Sequence, residues 1–186
     1  MKRFPYWVGL FFMASLCICM SGSRIVESKP HQRITNTDHV GLGVGYRPPE
    51  FSVVDLQGQP HTLKQYQGQV LVLHFWAHWC PYYRSEIPEL MQLYRERGSK
   101  GVQVLTVSTD QEPAKLRQFV KQSALPYPIV ADAEADSPLA DQYGISGIPM
   151  TYVITRDGYI AARLNGASDI TDAVERALDQ DLASSS

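Results

Sequence analysis

Apolar positions change rhythm along the chain, and each change marks an element. Residues 4–20 are almost wholly apolar, with Lys2 and Arg3 before them and Ser21, Gly22 and Ser23 after. This is the layout of a secretory signal, and its length sits at the lower edge of the roughly 17–25 residues that span a bilayer. A cleaved leader and an uncleaved N-terminal anchor are both compatible with it. Residues 24–47 are polar and without period, with Gly41, Gly43 and Gly45 ahead of Pro48 and Pro49. They read as a flexible tether. From Phe51 a strand-like pattern begins, turns at Gln57, Gly58, Gln59 and Pro60, and resumes through Leu63, which predicts an N-terminal β-hairpin.

Residues 70–77 form a nearly unbroken apolar run, the mark of a central strand covered on both faces. Pro81 then opens a helix to about Arg97, with Ile87, Leu90, Met91 and Tyr94 at helical spacing. Further along, the pattern predicts strands at 102–108 and 128–131 and helices at 112–123 and 136–143. Residues 150–155 and 159–164 flank Arg156, Asp157 and Gly158, and the Asp-Gly step is a strong hairpin signal. A last amphipathic helix covers about 169–182. The alternation predicts an α/β fold with a central mixed sheet, helices on both faces and the hairpin as an N-terminal extension. The domain reading is a leader or anchor over 1–23, a tether over 24–47 and one domain over 48–183.

Composition narrows the partners. With 186 residues, 44% of them hydrophobic, the chain suits one packed domain, and a net charge of −2 with no basic run argues against nucleic acid. Of three cysteines, Cys17 and Cys19 lie in the apolar leader and only Cys80 lies in the body. No disulfide framework survives cleavage, and a lone cysteine in an oxidising compartment either invites intermolecular pairing or marks a thiol kept for its reactivity.

Cys80 follows the buried strand and directly precedes Pro81, a residue favoured at the first helical position. Its place is therefore the helix start, where unpaired amides and the helix dipole favour a thiolate nucleophile. His74, His78 and Cys80 are close in sequence but lack structural-zinc spacing and supply only one sulfur. No metal and no cofactor is expected.

The stretch from Trp76 to Pro88, WAHWCPYYRSEIP, resembles the thioredoxin-fold thiol-disulfide oxidoreductases, in particular the extracytoplasmic TlpA and ResA branch of the redoxin group. Trp76, Trp79, Cys80, Pro81 and Pro88 stand in the places that branch uses. Gly147, Ile148 and Pro149 match its cis-proline loop, Pro60, Gly68 and Gly158 also fit, and the likeness runs from about Pro48 to Leu182. One departure matters: where the family has its second cysteine, this chain has Tyr83. A mixed disulfide at Cys80 then needs an external thiol for its release.

The resemblance implies further roles. Glu86 takes the place of the branch's functional acid, and His74 stands where many thioredoxins bury an acid, so it is a candidate general base. Trp79, Pro81, Tyr83, Ile148 and Pro149 are the candidate substrate contacts, and His78 falls in an exposed turn. Implied partners are protein thiol or disulfide clients and an external resolving thiol, with residues 4–20 as candidate membrane anchor. The implied location is the bacterial periplasm or the outer face of the cytoplasmic membrane. Two alternatives stand beside this reading. One is a peroxiredoxin-like peroxidase acting through a sulfenic acid, against which Ala77 stands where those enzymes carry threonine. The other is a redox-inactive client-binding module that keeps the groove of Trp79, Ile148 and Pro149.

Overall fold

The apolar run becomes the central strand β3, Val70–Trp76, buried at every position. A computed structural model describes residues 39–136 and 138–184. The expected leader and the tether up to residue 38 lie outside the described residues. Strands β4 (Val102–Ser108) and β5 (Ile129–Ala131) follow in parallel on one side of β3. Strands β6 (Met150–Ile154) and β7 (Ile160–Asn165) lie antiparallel on the other, giving the order β5-β4-β3-β6-β7. A separate hairpin pairs β1 (Ser52–Val54) with β2 (Pro60–Thr62). Its turn is closed by Asp55 Oδ1, which accepts from the amides of Gln57 and Gln59 at 2.9 and 2.8 Å.

Alternation along β3 divides the core in two. Val70, Val72 and Trp76 pack beneath α1 (Pro81–Arg97), α2 (Pro113–Ser123) and α4 (Ile170–Ser184), with Leu90, Leu93, Leu116 and Val174 among their partners. Leu71, Leu73 and Phe75 face the other way, toward Phe51, Val53 and the short α3 (Leu139–Gln142). From the C-terminal end of β3 the chain crosses through α1 to β4 on one side, while β6 on the other side begins at that same end, just after the Ile148–Pro149 loop. The carboxyl ends of the central strands are where α/β folds place their sites. Cys80 lies in the turn that leaves β3 there.

Three sequence expectations need correction. The tether is held from His39 onward: Gly41 N donates to Arg47 O, Gly45 N to Ile160 O, and Ile160 N to Tyr46 O, each at 2.8–2.9 Å. The glycines there serve a folded-back loop pinned to the start of β7. On α1 the fully buried residues are Tyr83, Glu86, Leu90 and Leu93, whereas Ile87, Met91 and Tyr94 are only partly buried. The charged Glu86 disguised the true stripe. Finally, the helix expected over 136–143 shrinks to α3, because Pro138 holds its N-cap and Asp132 does the capping from six residues upstream. Its carboxylate accepts from the amides of Leu139 at 2.6 Å and Ala140 at 3.2 Å. Asp132→Ala is expected to lower the unfolding free energy by about 1–2 kcal/mol, the usual worth of a lost cap, read as a shift in denaturant midpoint at constant slope.

Candidate active site at the start of helix α1

Cys80 is the N-cap of α1, with extended backbone angles of φ −74° and ψ 117° and Pro81 behind it. Its amide donates to Ala77 O at 3.0 Å, tightening the turn. This conformation aims Sγ at the carbonyl of Ile148, 3.9 Å away, and the Ile148–Pro149 peptide bond is cis. The thiol itself is largely covered, with the residue only 3% exposed. Its flanks are open instead: Trp79 is 63% and Tyr82 61% exposed, and Pro81 is exposed as well. Ile148 is half-buried and Pro149 buried. Tyr82 was not singled out in the sequence, where it read as one more residue of the helix start.

Tyr83 is a correction. Expected among the residues that touch a substrate, it is completely buried, one turn beyond Cys80 on the face of α1 that meets the sheet. Its ring stacks on Trp76 with centroids 3.8 Å apart and planes 19° from parallel, and lies 5.7 Å from the His74 ring. Its hydroxyl meets that of Tyr127 at 3.0 Å. Burial, with the neighbouring Tyr127, pushes the Tyr83 phenol far above its ordinary range, so it stays neutral. An aromatic ring cannot lie flat against a core and reach a client as well.

Beneath it lies a polar layer. His74 on β3 pairs in register with Thr106 on β4 and Thr151 on β6, and all three are buried. His74 Nδ1 and Thr151 Oγ1 share a hydrogen bond of 2.8 Å. His74 Nε2 points at Glu86 Oε2 across 3.7 Å, beyond hydrogen-bond reach, so neither Nε2 nor the Glu86 side-chain oxygens have a hydrogen-bond partner among the described residues. Burial drives the imidazole down to about 3 and the Glu86 carboxyl up to about 7, the latter tempered by the Ser168 backbone nearby, outside hydrogen-bond geometry, and reinforced by Glu89. Both groups are therefore neutral over mildly acidic pH, which is how a buried pair without full hydrogen bonding avoids uncompensated charge.

His78, expected in an exposed turn, is tied down. Its amide donates to Asp110 Oδ2 at 2.9 Å and its Nδ1 pairs with Asp110 Oδ1 at 2.6 Å. Asp110 is buried, and Ser108 Oγ donates to its Oδ2 at 2.7 Å. Asp110, Ser108 and Thr151 were all missed in the sequence, since each comes from a strand or strand end far from the Trp76–Pro88 stretch. Among the described residues no group of three or more His, Cys, Asp or Glu side chains is arranged to hold a metal ion.

A five-stranded mixed sheet with a cysteine at the helix start after its central strand, facing a cis-proline loop, defines a thioredoxin-like protein of the redoxin type. The comparisons agree. The AhpC/TSA family profile matches residues 44–163. The chain is 30% identical to the thiol-disulfide oxidoreductase ResA of Bacillus thuringiensis subsp. konkukian over 67% of its own length and 71% of the relative's. With ResA of Halalkalibacterium halodurans the identity is 31% over 86% and 85%. The crystal structure of a thioredoxin-family thiol:disulfide interchange protein from Chlorobium tepidum superposes with a TM-score of 0.62 at 26% identity, covering 71% of this chain and 95% of that one. The chain belongs to the AhpC/TSA family, in the branch of the ResA-type oxidoreductases, and is an oxidoreductase.

Proposed function

We propose that this is an extracytoplasmic thiol-disulfide oxidoreductase that works through the single thiol of Cys80 and leaves release of its mixed disulfide to an external thiol. The observation that carries this reading is Cys80 itself: the one free cysteine among the described residues, at a helix N-cap, its sulfur turned to the Ile148 carbonyl. The names of the ResA relatives support the reaction class, and the apolar segment at residues 4–20 supports export. No helix of the described residues is long and apolar enough to cross a membrane.

In the proposed cycle the Cys80 thiolate attacks one sulfur of a client disulfide. An S–S bond forms at Sγ, the client's own S–S bond breaks, and the departing sulfur leaves with the electron pair and takes up a proton. Trp79, Pro81 and the backbone of Ile148 and Pro149 receive the client chain, and Glu86 with His74 is the buried acid and base of the site. Tyr83 occupies the place of the resolving cysteine, so an added thiol must attack the mixed disulfide.

Incubating the full chain, with Cys17→Ser and Cys19→Ser in place, with a disulfide-bonded peptide is expected to give one adduct per chain at Cys80, persistent until a small thiol is added, and none when Cys80→Ser is added. Mass spectrometry of the intact protein reads both. Failure of the chain with Cys80 intact to form the adduct, with the denatured chain modified readily, overturns the proposal.

A further inference from the structure

External release raises a question of proton transfer. The arriving thiol must lose its proton to attack, because the thiolate is the nucleophile. The buried His74–Glu86 pair is poorly placed for this, since the Tyr83 ring stacks on His74 and the pair is closed off from solvent. Two residues before Cys80, however, His78 is partly open, with 24% of its side chain exposed.

Everything about His78 is fixed except one atom. Asp110, with its side chain 1% exposed, grips both the His78 amide and Nδ1, while Ser108 holds Asp110 in turn. An ionised carboxylate only accepts, so Nδ1 carries the proton and donates it. That choice leaves Nε2 with its lone pair, and Nε2 makes no hydrogen bond among the described residues. Phe119 flanks the ring with centroids 6.1 Å apart, and the Arg84 guanidinium lies over the same phenyl ring at 6.0 Å. A carboxylate that fixes one imidazole nitrogen and frees the other, two residues before a cysteine, is an arrangement suited to proton-transfer catalysis.

We propose that His78 is the general base that deprotonates the external resolving thiol, with Asp110 as its positioning residue. The inference rests on the single-thiol reading above. In the step, the thiol's S–H proton moves to His78 Nε2 and its sulfur bonds to the client-side sulfur of the mixed disulfide. The Sγ–S bond breaks, and Cys80 leaves as a thiolate beside the new imidazolium, which can return the proton to it. One disulfide is exchanged for another, with no net oxidant or reductant. The resolving partner is thus a thiol that is largely protonated at the working pH, such as a low-molecular-weight alkyl thiol or an ordinary protein cysteine.

The test compares thiols of different acidity on the full chain carrying Cys17→Ser and Cys19→Ser and charged at Cys80 with glutathione. His78→Ala is expected to slow release by 2-mercaptoethanol on the order of 100-fold, a typical worth for general-base catalysis. Release by the more acidic trifluoroethanethiol at about pH 8.5, where that thiol is mostly ionised, is expected to change only a few-fold, since thiolate fraction no longer limits it. Added imidazole restores part of the lost rate, and Asp110→Asn repeats the selectivity in weaker form. A loss equal for both thiols, or none for either, overturns the inference. Failure of the wild-type chain to accept glutathione at Cys80 would instead overturn the single-thiol reading.

Discussion

On the single-thiol proposal, in which the mixed disulfide waits for an added thiol, Tyr83→Cys is expected to give a protein that releases the client unaided. Residues three apart at the start of a helix have Cα atoms roughly 5 Å apart, within the range a disulfide bridges. The new thiol would attack Sγ, close an internal disulfide with Cys80 and free the client thiol. The gain comes with a loss. Tyr83 is completely buried, stacked on Trp76 and bonded to Tyr127, so truncating its ring opens a cavity and strands a hydroxyl. Core truncations of this size cost about 3–5 kcal/mol, and an orphaned buried hydroxyl adds to that. Tyr83→Phe, which loses only the hydroxyl contact, should cost about 1 kcal/mol and leave the client bound. Peptide release followed by chromatography, with denaturant melts alongside, reads both effects. A folded Tyr83→Cys variant that still waits for added thiol would show that the site lacks the geometry for an internal partner.

The second large effect is in pH. Burial lifts the Glu86 carboxyl from 4.5 to about 7 in the folded protein. Below the unfolded value the group is neutral in both states and costs nothing. As pH rises, the unfolded chain ionises first, so the folded state loses stability progressively until about pH 7 is passed. A shift of this size corresponds to about 3 kcal/mol. Glu86→Gln has no proton to lose, so its stability relative to the parent should improve by about that amount between roughly pH 4.5 and pH 8. Urea melts at a series of pH values check this, and parallel curves for the two proteins would refute it. His74 works in the opposite window: burial depresses it from 6.5 to about 3, so its neutral form costs nothing above 6.5 and the folded state loses stability as pH falls from there toward 3. Glu86→Gln leaves that acid-side loss in place.

The layout of the domain was legible in the sequence because its signals are local. The run at 70–77, Pro81 at a helix start and the Asp157-Gly158 turn each fix an element by themselves. Cys80 was legible for the same reason, and the 147–149 loop through the family resemblance. Pairings across the sheet were not. Asp110 meets His78 over 32 positions and Thr151 meets His74 over 77, separations that no periodicity records. Residue character also misled where it conflicted with position. Glu86 falls off the apolar stripe because of its charge and Tyr83 reads as a substrate contact, yet α1 packs on the sheet beside α4 and buries both. The partial burial of their neighbours Ile87 and Met91 follows from the same seating.

The loop of residues 39–47 is pinned at Ile160, where β7 begins. Ile160 pairs with Ile154, and Ile154 with Leu71 near the beginning of β3, whereas Cys80 lies past the other end of that strand. Seven residues of β-strand measure roughly 20 Å. The described chain thus begins at one pole and carries its sulfur at the other, so a bead or affinity handle joined directly at residue 39 leaves the working pole facing outward.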